Sequence, residues 1–169
     1  EVAEQYEHAR PGYPDALFEK IIEHGGLAAG DAALEIGAGT GKATRGFLAR
    51  GLQVHALEPS PEMARVLRGT GAEVEESTFE TWPTRGAAFK LVYAAQAWHW
   101  VRAANRYEKA ATALTAGGTL ALFWNQGREW DGALGADNDA AYDAYAPALT
   151  NLVGKWELDR TLEEIAARD

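Results

Sequence analysis

Five short apolar runs punctuate the chain, at Ala32–Gly37, Val54–Glu58, Ala72–Glu76, Lys90–Gln96 and Thr119–Asn125. The first, fourth and fifth are apolar at nearly consecutive positions, the pattern of parallel strands covered on both faces. Between the runs, Lys42–Arg50, Pro61–Arg68 and Ala103–Leu114 each place an apolar stripe at helical spacing. Ahead of them, Pro14–His24 sets Leu17, Phe18, Ile21 and Ile22 on one stripe, and Gly25-Gly26 ends that helix. Ser60 followed by Pro61 reads as a cap and a first helical turn, and Gly117-Gly118 reads as the turn into the fifth strand. Strands alternating with helices predict an open, mainly parallel α/β sheet with right-handed crossovers and helices on both faces. After Asn125 the pattern changes: Asp131–Leu149 is Ala-rich and helix-compatible, and Trp156–Ala167 also reads as a helix.

The stretch Ala33–Ala43, A-L-E-I-G-A-G-T-G-K-A, carries the most chemistry. An apolar strand stops at three glycines spaced by two and turns into a helix. Backbone without Cβ atoms lets a ligand approach closely, and free N–H groups wait at the helix start. A phosphate-binding loop requires G-x-x-x-x-G-K-[ST]. Here Ala43 follows Gly41-Lys42, and Ile36 stands where the first glycine belongs. The dinucleotide fingerprint G-x-G-x-x-G places its third glycine at Lys42 and fails there too. The remaining pattern is Glu35-x-Gly37-x-Gly39-x-Gly41. An ordinary left-handed turn without a ligand is the alternative.

Composition narrows the partners. The 169 residues hold 47% hydrophobic positions and no cysteine, enough for one domain with a real core and nothing for disulfides or thiolate metal sites. No apolar run approaches the ~18 residues of a membrane span, and the first residues are charged rather than signal-like. A cytoplasmic protein is expected, without membrane association. The net charge of −9 argues against a phosphate-tracking nucleic-acid partner and for a small-molecule substrate. His8, His24, His55 and His99 show no metal-ligand spacing, so no metal is expected.

The acid-led G-x-G-x-G resembles the first motif of class I S-adenosylmethionine-dependent methyltransferases. Glu58 ends the second strand 21 positions after Gly37, in Ala-Leu-Glu-Pro-Ser. The resemblance gives it both hydroxyls of an adenosyl ribose; a solvated acid at a helix start is the simpler reading. Beside it, Pro59, Ser60 and Met63 are placed at the adenine pocket, although Met63 equally suits the core. Ser77–Pro83 is similar to the family's G-D-A-E-x-L-P segment, with Thr78 where the acid stands and Phe79 offering its backbone N–H. The fourth run ends in Ala94-Ala95-Gln96-Ala97-Trp98-His99-Trp100, similar to a motif of the type 11-like small-molecule subgroup. That likeness puts Gln96 beside the methionyl part or the reacting methyl group. It makes His99 a general-base candidate, an imidazole suited to proton removal near neutral pH, against a plain packing role. Tyr6-x-x-x-Arg10-Pro11-Gly12-Tyr13-Pro14 resembles the subgroup's lead-in, a lid that would bring Tyr6 or Arg10 to the methionyl carboxylate.

The resemblance covers Tyr6 to about Gly127 and implies a Rossmann-like sheet in order 3-2-1-4-5. The expected organisation is an N-terminal lid and helix over 1–30, a cofactor-binding core over 31–127 and a helical segment over 128–169, in one domain overall. The family's sheet usually adds two antiparallel strands. None is legible after Asn125, so the C-terminal part is expected to be incomplete or rearranged. The implied activity is in-line transfer of the cofactor's methyl group to a small molecule, releasing S-adenosylhomocysteine, by a monomer or homodimer. A carboxylate acceptor would need no base, whereas an alcohol or amine would call on His99. An NAD-dependent oxidoreductase and a non-catalytic S-adenosylmethionine-binding domain are the competing readings.

Overall fold

A computed structural model describes residues 12–84, 86–102, 104–125 and 156–167. The elements are α1 (Asp15–Gly25), β1 (Ala32–Ile36), α2 (Lys42–Leu48), β2 (Gln53–Leu57), α3 (Pro61–Arg68), β3 (Glu73–Glu75), β4 (Phe89–Ala95), α4 (Arg106–Ala113), β5 (Leu114–Phe123) and α5 (Trp156–Ala166). A single 3-10 turn, Trp98–Trp100, follows β4. The five strands form one parallel sheet in the order β3-β2-β1-β4-β5. All strands therefore end on one edge, with β1 and β4 adjacent where the order reverses.

Alternation along the central strands sorts the core into two layers. Ala33, Leu91 and Tyr93 face one layer, where Phe18 and Ile21 of α1 and Phe47 of α2 close over them. Leu34, Ile36, Val92 and Ala94 face the other, beneath Trp98 and Tyr107, Ala110 and Ala113 of α4. Each fully buried aliphatic side chain contributes about 1.5–3 kcal/mol, so the inner strands anchor the sheet edge that carries the loops.

Two local expectations are revised. Gly117-Gly118 does not turn into β5; it lies inside it. Pairing steps from Phe89↔Leu114 to Leu91↔Thr119, so β5 advances five residues while β4 advances two. Gly117 takes φ +75 in this bulge, and the strand begins at Leu114 instead of Thr119. Helix α4 correspondingly ends at Ala113. Ser60 does cap α3, its Oγ accepting from the Met63 N–H at 3.4 Å with Pro61 in the first turn.

The chain divides into two compact units, 1–124 and 125–169. In the second, α5 carries an Arg160–Glu164 ion pair at 3.1 Å and exposes Leu162 and Ile165. The helix expected over 131–149 lies outside the described residues. Among the described residues no helix is long and apolar enough to cross a membrane.

Candidate active site

The three glycines of the β1–α2 loop all have positive φ, and each answers a different neighbour. A Cβ on Gly37 would lie 2.7 Å from the Cβ of Ala97, in the loop after β4. A Cβ on Gly41 would lie 2.8 Å from both Leu67 and Thr70, at the end of α3. Gly37 thus lets two strand-end loops touch, and Gly41 seats the loop against a helix. Gly39 faces open space, with no atom within 4 Å of where a Cβ would stand.

Glu58 closes this loop from β2. Its Oε2 accepts the Gly39 N–H at 2.7 Å and its Oε1 accepts the Ser60 N–H at 2.9 Å. The residue is 5% exposed. Each carboxylate oxygen keeps a second lone pair beside its backbone donor. Pro59 is exposed and Met63 half-buried beside it.

Glu35 lies one strand layer below. It is 1% exposed, and its Oε2 accepts from Thr44 of α2 and from the Tyr93 hydroxyl, the latter at 2.8 Å. Its pKa is raised to about 7: burial raises it most, the hydrogen bonds from Thr44 and Tyr93 lower it, and the charge of Glu58 raises it. Burial and the same carboxylate raise the Tyr93 phenol well above its ordinary value. The structure does not turn Glu35 toward the loop's open side: it ties β1, α2 and β4 together underneath it.

The loops after β3 and β4 complete the edge. The Thr78 hydroxyl closes its own turn, accepting the Thr81 N–H at 3.3 Å, and the Phe79 ring is buried and stacked 6.3 Å from Trp82. The Glu80 carboxylate accepts the Arg102 N–H at 2.7 Å, and Lys109 Nζ donates to the carbonyls of Glu80 and Trp82. These contacts hold the two loops side by side. Gln96 is the one described non-glycine residue with positive φ, at 60°, and its N–H donates to the Phe123 carbonyl at 3.0 Å. The strained backbone falls at the residue directly after β4, one position before Ala97 meets Gly37. His99 sits on the 3-10 turn, half-buried, with Trp124 Nε1–H donating to its Nδ1 at 3.3 Å. The Trp98 indole N–H is fully buried and has no acceptor among the described residues.

The structure thus gathers Gly37, Gly39, Gly41, Glu58, Ser60, Gln96 and His99 along one sheet edge. Tyr6 and Arg10 lie outside the described residues. Ala97, Tyr93, Thr44 and Trp124 were not singled out in the sequence. Trp124 follows directly on β5, and its position at a strand's carboxyl end was the available signal. Among the described residues no cluster of three His, Asp or Glu side chains is arranged for a metal.

A parallel sheet with a glycine loop at its reversal point, and a buried carboxylate at the end of the neighbouring strand, defines a Rossmann-like open α/β domain. The chain belongs to the methyltransferase domain family, whose model matches residues 34–122. It is 37% identical over 147 residues, 82% of its length, to a Mycobacterium bovis protein named an uncharacterized methyltransferase. An uncharacterized methyltransferase-like protein of Schizosaccharomyces pombe is 32% identical over 71% of the chain. The chain spans only 59% and 48% of those two relatives. Among solved structures, a Methanococcus maripaludis protein assigned to the S-adenosyl-L-methionine-dependent methyltransferases superposes with a TM-score of 0.65. It is 17% identical, with 89% of this chain and 75% of that one covered.

Proposed function

We propose that this chain binds S-adenosylmethionine and directs its methyl group to a small-molecule acceptor. The observation that carries the reading is Glu58, buried at the end of β2 and bonded to the N–H of Gly39 in the loop. The residues present suit that cofactor better than a dinucleotide. Glu58 offers lone pairs to ribose hydroxyls, Gly39 leaves room at the backbone, and Lys42 replaces the glycine a pyrophosphate helix requires. Thr78 is occupied in its own turn, so the Phe79 backbone is the donor left for the adenine edge.

When bound, the cofactor supplies a methyl group already activated on a cationic sulfur. The protein's task is then alignment and exclusion of water. Gln96 is held by its strained backbone at the end of β4, where the methionyl arm would pass. His99 and Trp124 stand further along the same edge, on the side from which an acceptor would approach. Arg10 and Tyr6 are proposed for the methionyl carboxylate on the strength of the lead-in motif.

Calorimetry with S-adenosylmethionine, S-adenosylhomocysteine and NAD tests this reading on wild type and Glu58→Ala. Binding of the first two, lost in the variant, is expected. Binding of NAD alone would replace it with the oxidoreductase reading.

A further inference from the structure

Two cations on one helix hold two different loops of the sheet edge. Arg106 and Lys109 stand three positions apart on α4, so their side chains leave neighbouring points of one face. Arg106 Nη1 donates to the Trp98 and Val101 carbonyls, at 3.0 Å each, in the loop after β4. Lys109 Nζ donates to the Glu80 and Trp82 carbonyls, at 3.0 and 2.6 Å, in the loop after β3. The same ammonium lies 5.1 Å from the centre of the Phe79 ring and 6.0 Å from that of Trp82.

The loop that Lys109 holds contains a single turn. The Trp82 N–H donates to the Thr78 carbonyl at 3.0 Å, and the Thr78 hydroxyl accepts the Thr81 N–H at 3.3 Å. Carbonyls at the end of such a turn point along its axis without a partner of their own, and a cation suits them there. Lys109 supplies that cation from a separate element. At the other end, the first N–H of the turn, on Phe79, has no acceptor among the described residues. The Phe79 ring is buried, with its centre 6.3 Å from that of Trp82 and 6.2 Å from that of Trp98. The direction of this N–H is therefore set by how the turn is seated.

We infer that Lys109 is a positioning residue of the cofactor site: it clamps the Thr78–Trp82 turn to α4 and so fixes the Phe79 N–H for the edge of the adenine. The adenine contact rests on the methyltransferase reading; the clamp on the turn does not. Adenine presents an acceptor nitrogen, N1, beside its amine. A fixed N–H pairs with that nitrogen but opposes hypoxanthine, whose N1 carries a proton. Two facing donors leave both unpaired away from water, which is a strong ground for rejection. Without the ammonium, the turn keeps its own two bonds and loses its hold on α4. The donor then shifts with the turn, and the choice between the two bases weakens.

The test compares S-adenosylhomocysteine with S-inosylhomocysteine by calorimetry on the whole chain, as wild type, Lys109→Met and Lys109→Arg. Wild type is expected to prefer the adenine compound by about tenfold or more. Lys109→Met should narrow that ratio to roughly threefold or less, and Lys109→Arg, which still donates to carbonyls, should restore most of it. A merely structural role would weaken both ligands alike, so an unchanged ratio in folded Lys109→Met overturns the proposal. A wild type without preference overturns it as well. Lys109→Gln takes the place of Lys109→Met if that variant fails to fold, with the same expectation. Amide hydrogen exchange without ligand reads the clamp alone: the Thr81 and Trp82 N–H groups should exchange about tenfold faster in the variant. Unchanged exchange there refutes the clamp. Failure of both compounds to bind wild type would sink the methyltransferase reading, and the adenine contact with it, while the exchange result still decides the clamp.

Discussion

The backbone N–H of Gly39 donates to the Glu58 carboxylate at 2.7 Å, joining two residues nineteen positions apart across neighbouring strand ends. The same carboxylate takes the Ser60 N–H, so one side chain orders the glycine loop and the start of α3 together. Hydrogen bonds to a charged acceptor contribute about 1.5–3 kcal/mol each. Glu58→Gln keeps the volume but removes the charge and turns one acceptor oxygen into a donor. The variant should bind S-adenosylmethionine at least about tenfold more weakly, equivalent to ~1.4 kcal/mol, and melt below wild type. Calorimetry and thermal unfolding on the same samples measure both. Unchanged affinity would remove Glu58 from the cofactor site.

How much of this was legible in the sequence follows the range of the interaction involved. Ala-Leu-Glu-Pro-Ser announced the end of a strand, its acid and its helix cap within five residues, and all three are where the pattern put them. Gly117-Gly118 misled because a double glycine is the same local signal whether it turns the chain or bulges a strand. Only the pairing with β4 decides between them. In the sequence, Tyr93 is one more position in the largely apolar run Lys90–Gln96. Its bond to Glu35 joins residues 58 positions apart and left no local trace. Trp124 and His99 meet only because β4 and β5 end side by side, so the pair becomes visible with the sheet order and not before it.

Glu35 makes stability depend on pH. Its folded pKa, about 7, lies above the ordinary glutamate value of 4.5 because burial disfavours the charge. The unfolded chain therefore gives up this proton more readily than the native one. Stability from the neutral carboxyl is complete below about pH 4.5 and is lost as pH rises through 7. The full shift corresponds to roughly 3 kcal/mol. Urea unfolding of wild type and Glu35→Gln at pH 5 and pH 8 isolates this contribution. The wild-type midpoint should fall relative to the variant between the two, and parallel behaviour would refute a raised pKa.

Gly46 in α2 faces Phe18 of α1 at a distance that excludes any side chain. A Cβ there would stand 2.2, 2.4 and 2.6 Å from three atoms of the Phe18 ring. That ring cannot move aside, since Phe47 packs edge-on at 5.0 Å and the Arg50 guanidinium covers it at 5.0 Å. Gly46→Ala gains about 1 kcal/mol of helix propensity but meets an overpacking cost of about 1–3 kcal/mol. Net destabilisation is expected in thermal unfolding. Adding Phe18→Leu should recover part of the loss, giving a coupling energy of opposite sign to the single effect. A stabilised Gly46→Ala would show that α1 and α2 pack more loosely than this.

Gln96 separates stability from function. Its φ of 60° costs an ordinary side chain roughly 1–2 kcal/mol relative to the right-handed region. Gln96→Gly removes that strain but also frees the unfolded chain, and the two effects offset to within about 1 kcal/mol. The variant should melt close to wild type. Its backbone N–H still reaches the Phe123 carbonyl, so the strand ends stay joined. What it lacks is the side-chain amide of the residue just before Ala97, whose Cβ a side chain on Gly37 would meet. Binding of S-adenosylmethionine or the rate of transfer should therefore drop by tenfold or more at little change in melting temperature. Gln96→Asn, which tolerates the left-handed conformation and keeps a shorter amide, should fall between the two. A Gln96→Gly protein that loses neither binding nor rate would make the strain a packing accident. One that loses stability and function in proportion would make Gln96 structural.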